Sequence, residues 1–329
     1  MIVARTVAEM RAALRSLPRP LGFTPTMGAL HAGHLSLVEA AKDRCASVAA
    51  SLFVNPAQFG RGEDLAAYPR DETRDLALFE RAGAGVVFVP AATELYPGGF
   101  ATSIHVGGPL TDAYEGKERP GHFDGVCTVV AKLLAIVTAD VLFLGEKDAQ
   151  QLAVLRRMVR DLDLPVEVAG VPTMREPDGL AMSSRNVHLT PAQRAVAPDL
   201  YRALLAGVTA ARRPGAGPRD AIVAAAMLLA APDAGLKSED DRLRELKGQA
   251  PPGPPRFAID YIAVVDADTF AQESAAGPRS LFIAAARLGP TRLIDNVSLA
   301  APAAGERATT TPARAYPVQD ATSTEGRTP

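Results

Sequence analysis

Between residues 21 and 171, short apolar runs bounded by Gly and Pro alternate with amphipathic segments, and this alternation leaves few folds open. Residues 21–27, 48–54, 86–89, 141–144 and 166–171 read as strands. Residues 35–44, 72–82, 123–137 and 149–162 read as helices, the second with Leu76, Phe79 and Ala82 at helical spacing. Strands separated by helices need crossover connections, which are right-handed and make the sheet parallel. The expected fold is α/β, with a Rossmann-like parallel sheet that holds ligands at the carboxyl ends of its strands.

Beyond residue 172 the texture changes. Thr190 caps a helix and Pro191 occupies its first turn, and the apolar spacing carries it through Tyr201 to about residue 211. A second helix is predicted over 219–230. Residues 257–265, 281–286 and 292–294 read as strands of a smaller α+β domain. The stretch 232–256 is polar and proline-rich and reads as a mobile insertion. From residue 301 the chain is Ala, Thr, Pro and Gly with scattered charge, too polar to order itself. The expected organisation is a Rossmann-like domain over 1–173, a smaller domain over 174–300 and a disordered tail over 301–329.

Hydrophobic residues make up 47% of the 329, enough for two cores, and the formal net charge is −2. No global basic field exists to hold a polyanion, so nucleic acid is not an expected partner. The opening MIVARTVAEMRAALRSL reads as helical and charged, without the apolar centre or cleavage site of a signal peptide. No uncharged stretch is long enough to span a bilayer. Cys45 and Cys127 are too far apart in sequence for a metal knuckle; both read as buried free thiols, which suits a reducing cytoplasm.

Five segments carry chemistry. Met27-Gly28-Ala29-Leu30-His31-Ala32-Gly33-His34 lies where a strand hands over to a helix. Backbone N–H groups at such a helix start attract phosphate, two histidines three apart share a face, and Gly33 lets a flat base approach. Gly145-Glu146-Lys147-Asp148 follows another strand; its lysine can neutralise phosphate and Asp148 can hold magnesium alongside phosphate oxygens. Met182-Ser183-Ser184-Arg185 combines small hydroxyls with an arginine, a compact anion clamp. Gln58 offers a donor and an acceptor in a βα loop, and Gln151 lies one helical turn from Lys147. Arg119 and His122 can serve a ligand, or can pair with Glu115 and Glu118 on a solvated turn. Singly, each segment also reads as ordinary structure: a capped helix, a charged turn, a polar loop. Zinc is disfavoured, since no third or fourth ligand lies near the histidines.

Taken together, PTMGALHAGH, FVNPAQFG, EDLAAYPRD, LYPGG, YEGKERPGHFDGV, GEKDAQQL, GVPTMREPDGLAMSSRN and RLIDN resemble the pantothenate synthetase family, from Thr6 to about Leu299. That family belongs to the nucleotidyltransferases with a His-x-Gly-His signature. The resemblance implies an ATP-dependent ligase that joins (R)-pantoate to β-alanine through a pantoyl-adenylate. It places ATP on Met27 to His34, Gly145 to Asp148, Met174 and Met182 to Arg185, with His34 as catalytic acid and His31, Lys147 and Arg185 on phosphate. Gln58 would contact both pantoate and β-alanine, and Gln151 pantoate. Tyr68, Glu115 and Arg119 would support the site. Magnesium with ATP and a cytoplasmic homodimer are implied too. Ala57, Ala149 and Tyr114 depart from the family pattern of methionine, an aromatic and leucine; the first two can leave slack behind Gln58 and Gln151. Two other readings stay open from the residues alone: an adenylyltransferase that keeps the nucleotide on its product, and a non-catalytic nucleotide-binding or tRNA-binding relative.

Overall fold

A computed structural model describes residues 1–60, 65, 68–230 and 255–299. Residues 231–254 and 300–329, which hold most of the expected insertion and the expected tail, lie outside the described residues.

The chain begins β1 (Ile2–Ala4), α1 (Val7–Leu14), β2 (Leu21–Thr26), α2 (Ala32–Arg44), β3 (Ser47–Leu52), α3 (Glu72–Ala82) and β4 (Val86–Phe88). Three single-turn helices follow, α4 (Ala92–Leu95), α5 (Pro109–Asp112) and α6 (Glu115–Glu118). Then come α7 (His122–Val137), β5 (Val141–Gly145), α8 (Ala149–Asp161) and β6 (Glu167–Val171). The six strands form one parallel sheet in the order β1-β4-β3-β2-β5-β6. From β2 the chain steps one way to β3 and later returns on the other side as β5. That reversal opens a crevice at the carboxyl ends of β2 and β5, where the histidine and lysine segments emerge.

Alternation along β5 shows how the sheet is buried on both faces: Leu142 and Leu144 join a core with Met10, Leu133 and Leu155, while Val141 and Phe143 join one with Val38 and Phe79. Helices α1, α7 and α8 thus cover one face, and α2 and α3 the other.

The second half holds α9 (Pro191–Val196), α10 (Asp199–Ala211), α11 (Pro218–Ala230), β7 (Phe257–Asp266), β8 (Ser280–Leu288) and β9 (Thr291–Ser298). The last three form an antiparallel sheet in the order β7-β8-β9. Leu200, Leu204, Val264 and Phe282 centre its core. Among the described residues no helix is long and apolar enough to cross a membrane.

Four expectations need correction. The start of the chain is not all helical: Ile2–Ala4 pairs with β4 as an edge strand, and the helix begins only after Thr6, whose hydroxyl caps Glu9. The helix predicted from 190 to 211 is two helices. Pro198 has no N–H to continue the ladder, so α9 ends at Val196 and α10 starts at Asp199. The third C-terminal strand is much longer than 292–294, because it pairs with β8 along all of Thr291–Ser298, polar residues included. Cys45 sits just past α2 and is only partly buried, whereas Cys127 is buried in α7; both are free.

Candidate active site

The turn leaving β2 is conformationally demanding. Gly28 and Ala29 both have positive φ, 88° and 51°. What holds them there is Asp75 of α3, 1% exposed, which accepts from the amides of Ala29 at 2.8 Å and Leu30 at 2.9 Å. These amides are therefore not free for phosphate, as the helix-start reading supposed. The Gly33 amide is also engaged, donating to His31 Nδ1 at 3.2 Å, and the His31 amide donates weakly to His34 Nδ1 at 3.4 Å. Because both Nδ1 atoms accept, both imidazoles carry their proton on Nε2. Their ring centroids are 4.1 Å apart.

Burial pushes the His31 pKa down to about 2 and that of His34 down to about 4, helped for His31 by the neighbouring imidazole and by Lys147. Both rings are neutral at neutral pH and act as N–H donors, not as cations. The unfolded chain protonates first, near 6.5, so the histidines contribute nothing to the pH dependence of stability above that value. Stability is lost as pH falls from 6.5 toward 4, because unfolding then takes up protons. Melting temperatures measured across this window should drop more steeply for wild type than for a His31→Asn/His34→Asn double variant. Parallel curves would contradict the assignment.

The carboxyl end of β5 presents Lys147 and Asp148, with Lys147 Nζ 3.5 Å from Asp148 Oδ1. Burial alone would raise the Asp148 pKa, but Lys147 and Arg185 outweigh it and keep the carboxyl below its ordinary value. The Met182–Arg185 segment rises from a short hairpin. Arg175 and Ala181 bridge, and Met182 N donates to Met174 O at 3.0 Å. Ser183 Oγ accepts from Arg185 N, and Asn186 Nδ2 donates to Ala181 O. Tyr68 closes the wall with a hydroxyl bonded to Ser184; burial raises its pKa.

After β3, Asn55 is 1% exposed and uses its amide fully. Its Nδ2 donates to Gln58 Oε1 and Gly125 O, both at 3.1 Å, and its Oδ1 accepts from Ala57 N and the Tyr96 hydroxyl. Gln58 Nε2 meets the sulfur of Met27 at 2.8 Å. The Gln58 amide is thus fixed at both ends, and the Ala57 side chain is exposed, so that alanine leaves no buried slack. Buried His122 contacts Gln58 O through Nδ1 and Arg119 Nη1 through Nε2, each at 2.9 Å. A donating guanidinium and an accepting carbonyl select the Nδ1–H tautomer. Glu115, one of the two acids offered as alternative partners for them, is clasped by Arg292 at 2.6 and 2.7 Å and by the Tyr261 hydroxyl at 2.8 Å. Of the two glutamines on α8, Gln150 is 4% exposed and bonded to Leu110 O, Ala113 O and Glu115 N.

Gly125 lies so close to this loop that an added Cβ would sit 2.2 Å from Ala57 O and 2.7 Å from Gln58 Cα. Gly125→Ala should cost about 1–3 kcal/mol through overpacking. It should also raise the KM of the substrate that Gln58 contacts. Chemical denaturation and steady-state kinetics check both; an unaltered KM in a folded variant would detach Gln58 from binding.

Two cavities meet at this crevice. The smaller, about 230 Å³, is lined by Met27, His31, Gly33, His34, Gln58 and Gln151, together with Gly145, Met174 and Met182. The larger, about 930 Å³, runs under β7–β9 and includes Glu115 and Ala149. Tyr68, Arg119, Lys147, Asp148 and Ser183 to Arg185 line both. Gly28, Ala29, Leu30, Ala32 and Glu146 line neither of the two; Leu30 is a core residue, 1% exposed. Sequence reasoning did not single out Asn55, Asp75, Arg292 or Asn296, whose roles are contacts to distant segments. Among the described residues no group of three His, Cys, Asp or Glu side chains could hold a metal.

This chain matches the family model described as pantoate-beta-alanine ligase over residues 2–298. It is 50% identical over 297 residues to a pantothenate synthetase of Thermus thermophilus, covering 89% of this chain and 98% of that one. It is 49% identical over 297 residues to that of Chloroflexus aggregans, covering 90% and 99%. A crystal structure of the Thermus thermophilus protein superposes with a TM-score of 0.80 at 47% identity, covering 92% of this chain and all of that one. One from Francisella tularensis, described as complexed with beta-gamma ATP and beta-alanine, superposes at 0.68 with 30% identity, covering 91% and 98%. A sheet that reverses at β2/β5, with paired histidines and a lysine at the reversal, agrees with those matches along almost the whole described chain, and the chain belongs to the pantoate–β-alanine ligase family.

Proposed function

We propose that this crevice condenses (R)-pantoate with β-alanine at the expense of ATP, through a pantoyl-adenylate, with release of AMP and pyrophosphate. One observation carries the reading. The neutral imidazoles of His31 and His34, with Nε2–H, and the cations Lys147 and Arg185 line a single small cavity together with Gln58 and Gln151. A pantoate carboxylate oxygen attacks the α-phosphorus, the bond from that phosphorus to the bridging oxygen breaks, and pyrophosphate leaves. Negative charge grows on phosphoryl oxygens in this step, and fixed donors aimed at it lower the barrier. Lys147 and Arg185 supply charge; His31 and His34 supply uncharged donors. The neutral amine of β-alanine then attacks the acyl carbon, the acyl–oxygen bond breaks, AMP leaves and the amine proton passes to solvent. Gln58 and Gln151 orient the carboxylate and hydroxyl groups of the acids.

Asp148 is ionised and faces both cavities, so it fits magnesium held jointly with phosphate oxygens, since that ion favours one or two carboxylates plus phosphates and water. Bound there, magnesium would neutralise phosphate charge. The free thiols of Cys45 and Cys127 are what a reducing cytoplasm would leave, which supports that location. A homodimer comes with the family resemblance, and sedimentation equilibrium measures it. AMP formation from ATP tests the whole reading. It should require both pantoate and β-alanine at steady state, and AMP release independent of either acid would refute it.

A further inference from the structure

Strand β9 reaches across from the second sheet and touches both loops that carry the phosphate-handling cations. Asn296 Nδ2 donates to Glu146 O at 2.9 Å and to Lys147 O at 3.0 Å. Only the amide NH2 can face two carbonyls, so the orientation of this side chain is fixed by chemistry. The adjacent Asp295, 4% exposed, holds Arg175 through two bonds at 2.6 and 2.9 Å. Arg175 also donates to Gly179 O, at 3.1 Å, and lies 3.6 Å from the centre of the Tyr201 ring. It therefore pins the hairpin from which Met182–Arg185 rises. Asp295 Oδ1 also accepts from the backbone N–H of Asn296 at 2.8 Å, which fixes the Asp295 carboxylate against the strand that carries Asn296.

We propose that Asp295 and Asn296 form a bracket that sets the position of Lys147 relative to Arg185, and that Asn296 is a positioning residue for the adenylation step. The inference rests on the assignment of Lys147 and Arg185 to the phosphates of ATP. Neighbouring residues on one strand grip two loops that are otherwise separate in the chain. A small displacement of Lys147 away from the growing charge lowers the rate of phosphoryl chemistry. The second chemical step attacks an acyl carbon and depends less on that lysine.

The test uses the full-length enzyme with Asn296→Ala, Asn296→Asp, Lys147→Ala and the Asn296→Ala/Lys147→Ala double variant. Two readouts are pantoate-dependent exchange of pyrophosphate into ATP, and single-turnover reaction of preformed pantoyl-adenylate with β-alanine. Asn296→Ala should lower the exchange rate tenfold or more and change the second reaction less than twofold. Asn296→Asp places an acceptor against two carbonyls and should lose more than alanine at similar melting temperature. In the Lys147→Ala background, Asn296→Ala should add little, because it acts through that lysine. Equal losses in both half-reactions, or full additivity in the double variant, would overturn the bracket. Should Asn296→Ala prove unfolded, the two half-reactions of Asn296→Asp and of its double with Lys147→Ala decide in the same way. If Lys147→Ala itself exchanged at the wild-type rate, the phosphate assignment would fail, and with it the premise of the bracket.

Discussion

Replacing Lys147 with alanine is expected to leave the fold intact and to lower turnover by about a hundredfold or more, the usual consequence of losing one preorganised donor to developing charge. The side chain is mostly buried in the crevice wall, and its one ion pair among the described residues, to Asp148, is long at 3.5 Å. Removing it therefore disturbs little stabilising structure. The same change makes the site less positive, so ATP should bind more weakly too, and kcat should fall further than binding does. His34→Ala should act in the same direction but more mildly, because a neutral N–H supplies less than a cation. Circular dichroism and steady-state kinetics on both variants check this. A folded Lys147→Ala enzyme with near-normal kcat would remove Lys147 from the mechanism.

The largest stability effect is expected at Arg292. Its guanidinium is bidentate to Glu115 and donates through Nε to Asp260 at 2.6 Å, and the Arg292 and Glu115 side chains are only 13% and 11% exposed. Arg292→Ala would leave a buried carboxylate with no cation, beside a tyrosine whose own pKa is raised by burial and by Glu115. Breaking one partner of such a pair costs about 3–5 kcal/mol. Denaturant midpoints at unchanged m-value measure it. Arg292→Lys should recover little, since an ammonium cannot reproduce the two-pronged contact. A loss below about 1 kcal/mol would show that water enters and relieves the charge.

Five of the six parallel strands were legible because each is a short apolar run joined to the next by a helix with 3.6-residue spacing; the edge strand Ile2–Ala4 was not, being only three residues long beside a helix. Helix α3 spans the predicted residues, with Asp71 capping it and Gly83 in the left-handed conformation ending it. The site was legible where one loop holds the chemistry, as in His31–His34 and Lys147–Asp148. What stayed hidden has a common physical cause. Asp75 acts on the histidine turn from 45 and 46 residues away, Arg292 on Glu115 from 177 and Asn296 on Lys147 from 149. No local spacing encodes such contacts. The engagement of the Ala29 and Leu30 amides was hidden for the same reason, since their partner Asp75 lies on α3. The break at Pro198 was readable in principle, because that residue alone removes a ladder donor; the apolar spacing on either side hid it.

Adenylation before amide formation is the central claim, and one incubation tests it most directly. The enzyme is mixed with ATP and (R)-pantoate, without β-alanine, and the phosphorus-containing products are resolved by 31P NMR or mass spectrometry. The expected products are pantoyl-adenylate and pyrophosphate, in a single burst that matches the enzyme concentration. Formation of ADP together with a pantoyl phosphate would contradict the account, because the γ-phosphorus, and not the α-phosphorus, would then have been attacked.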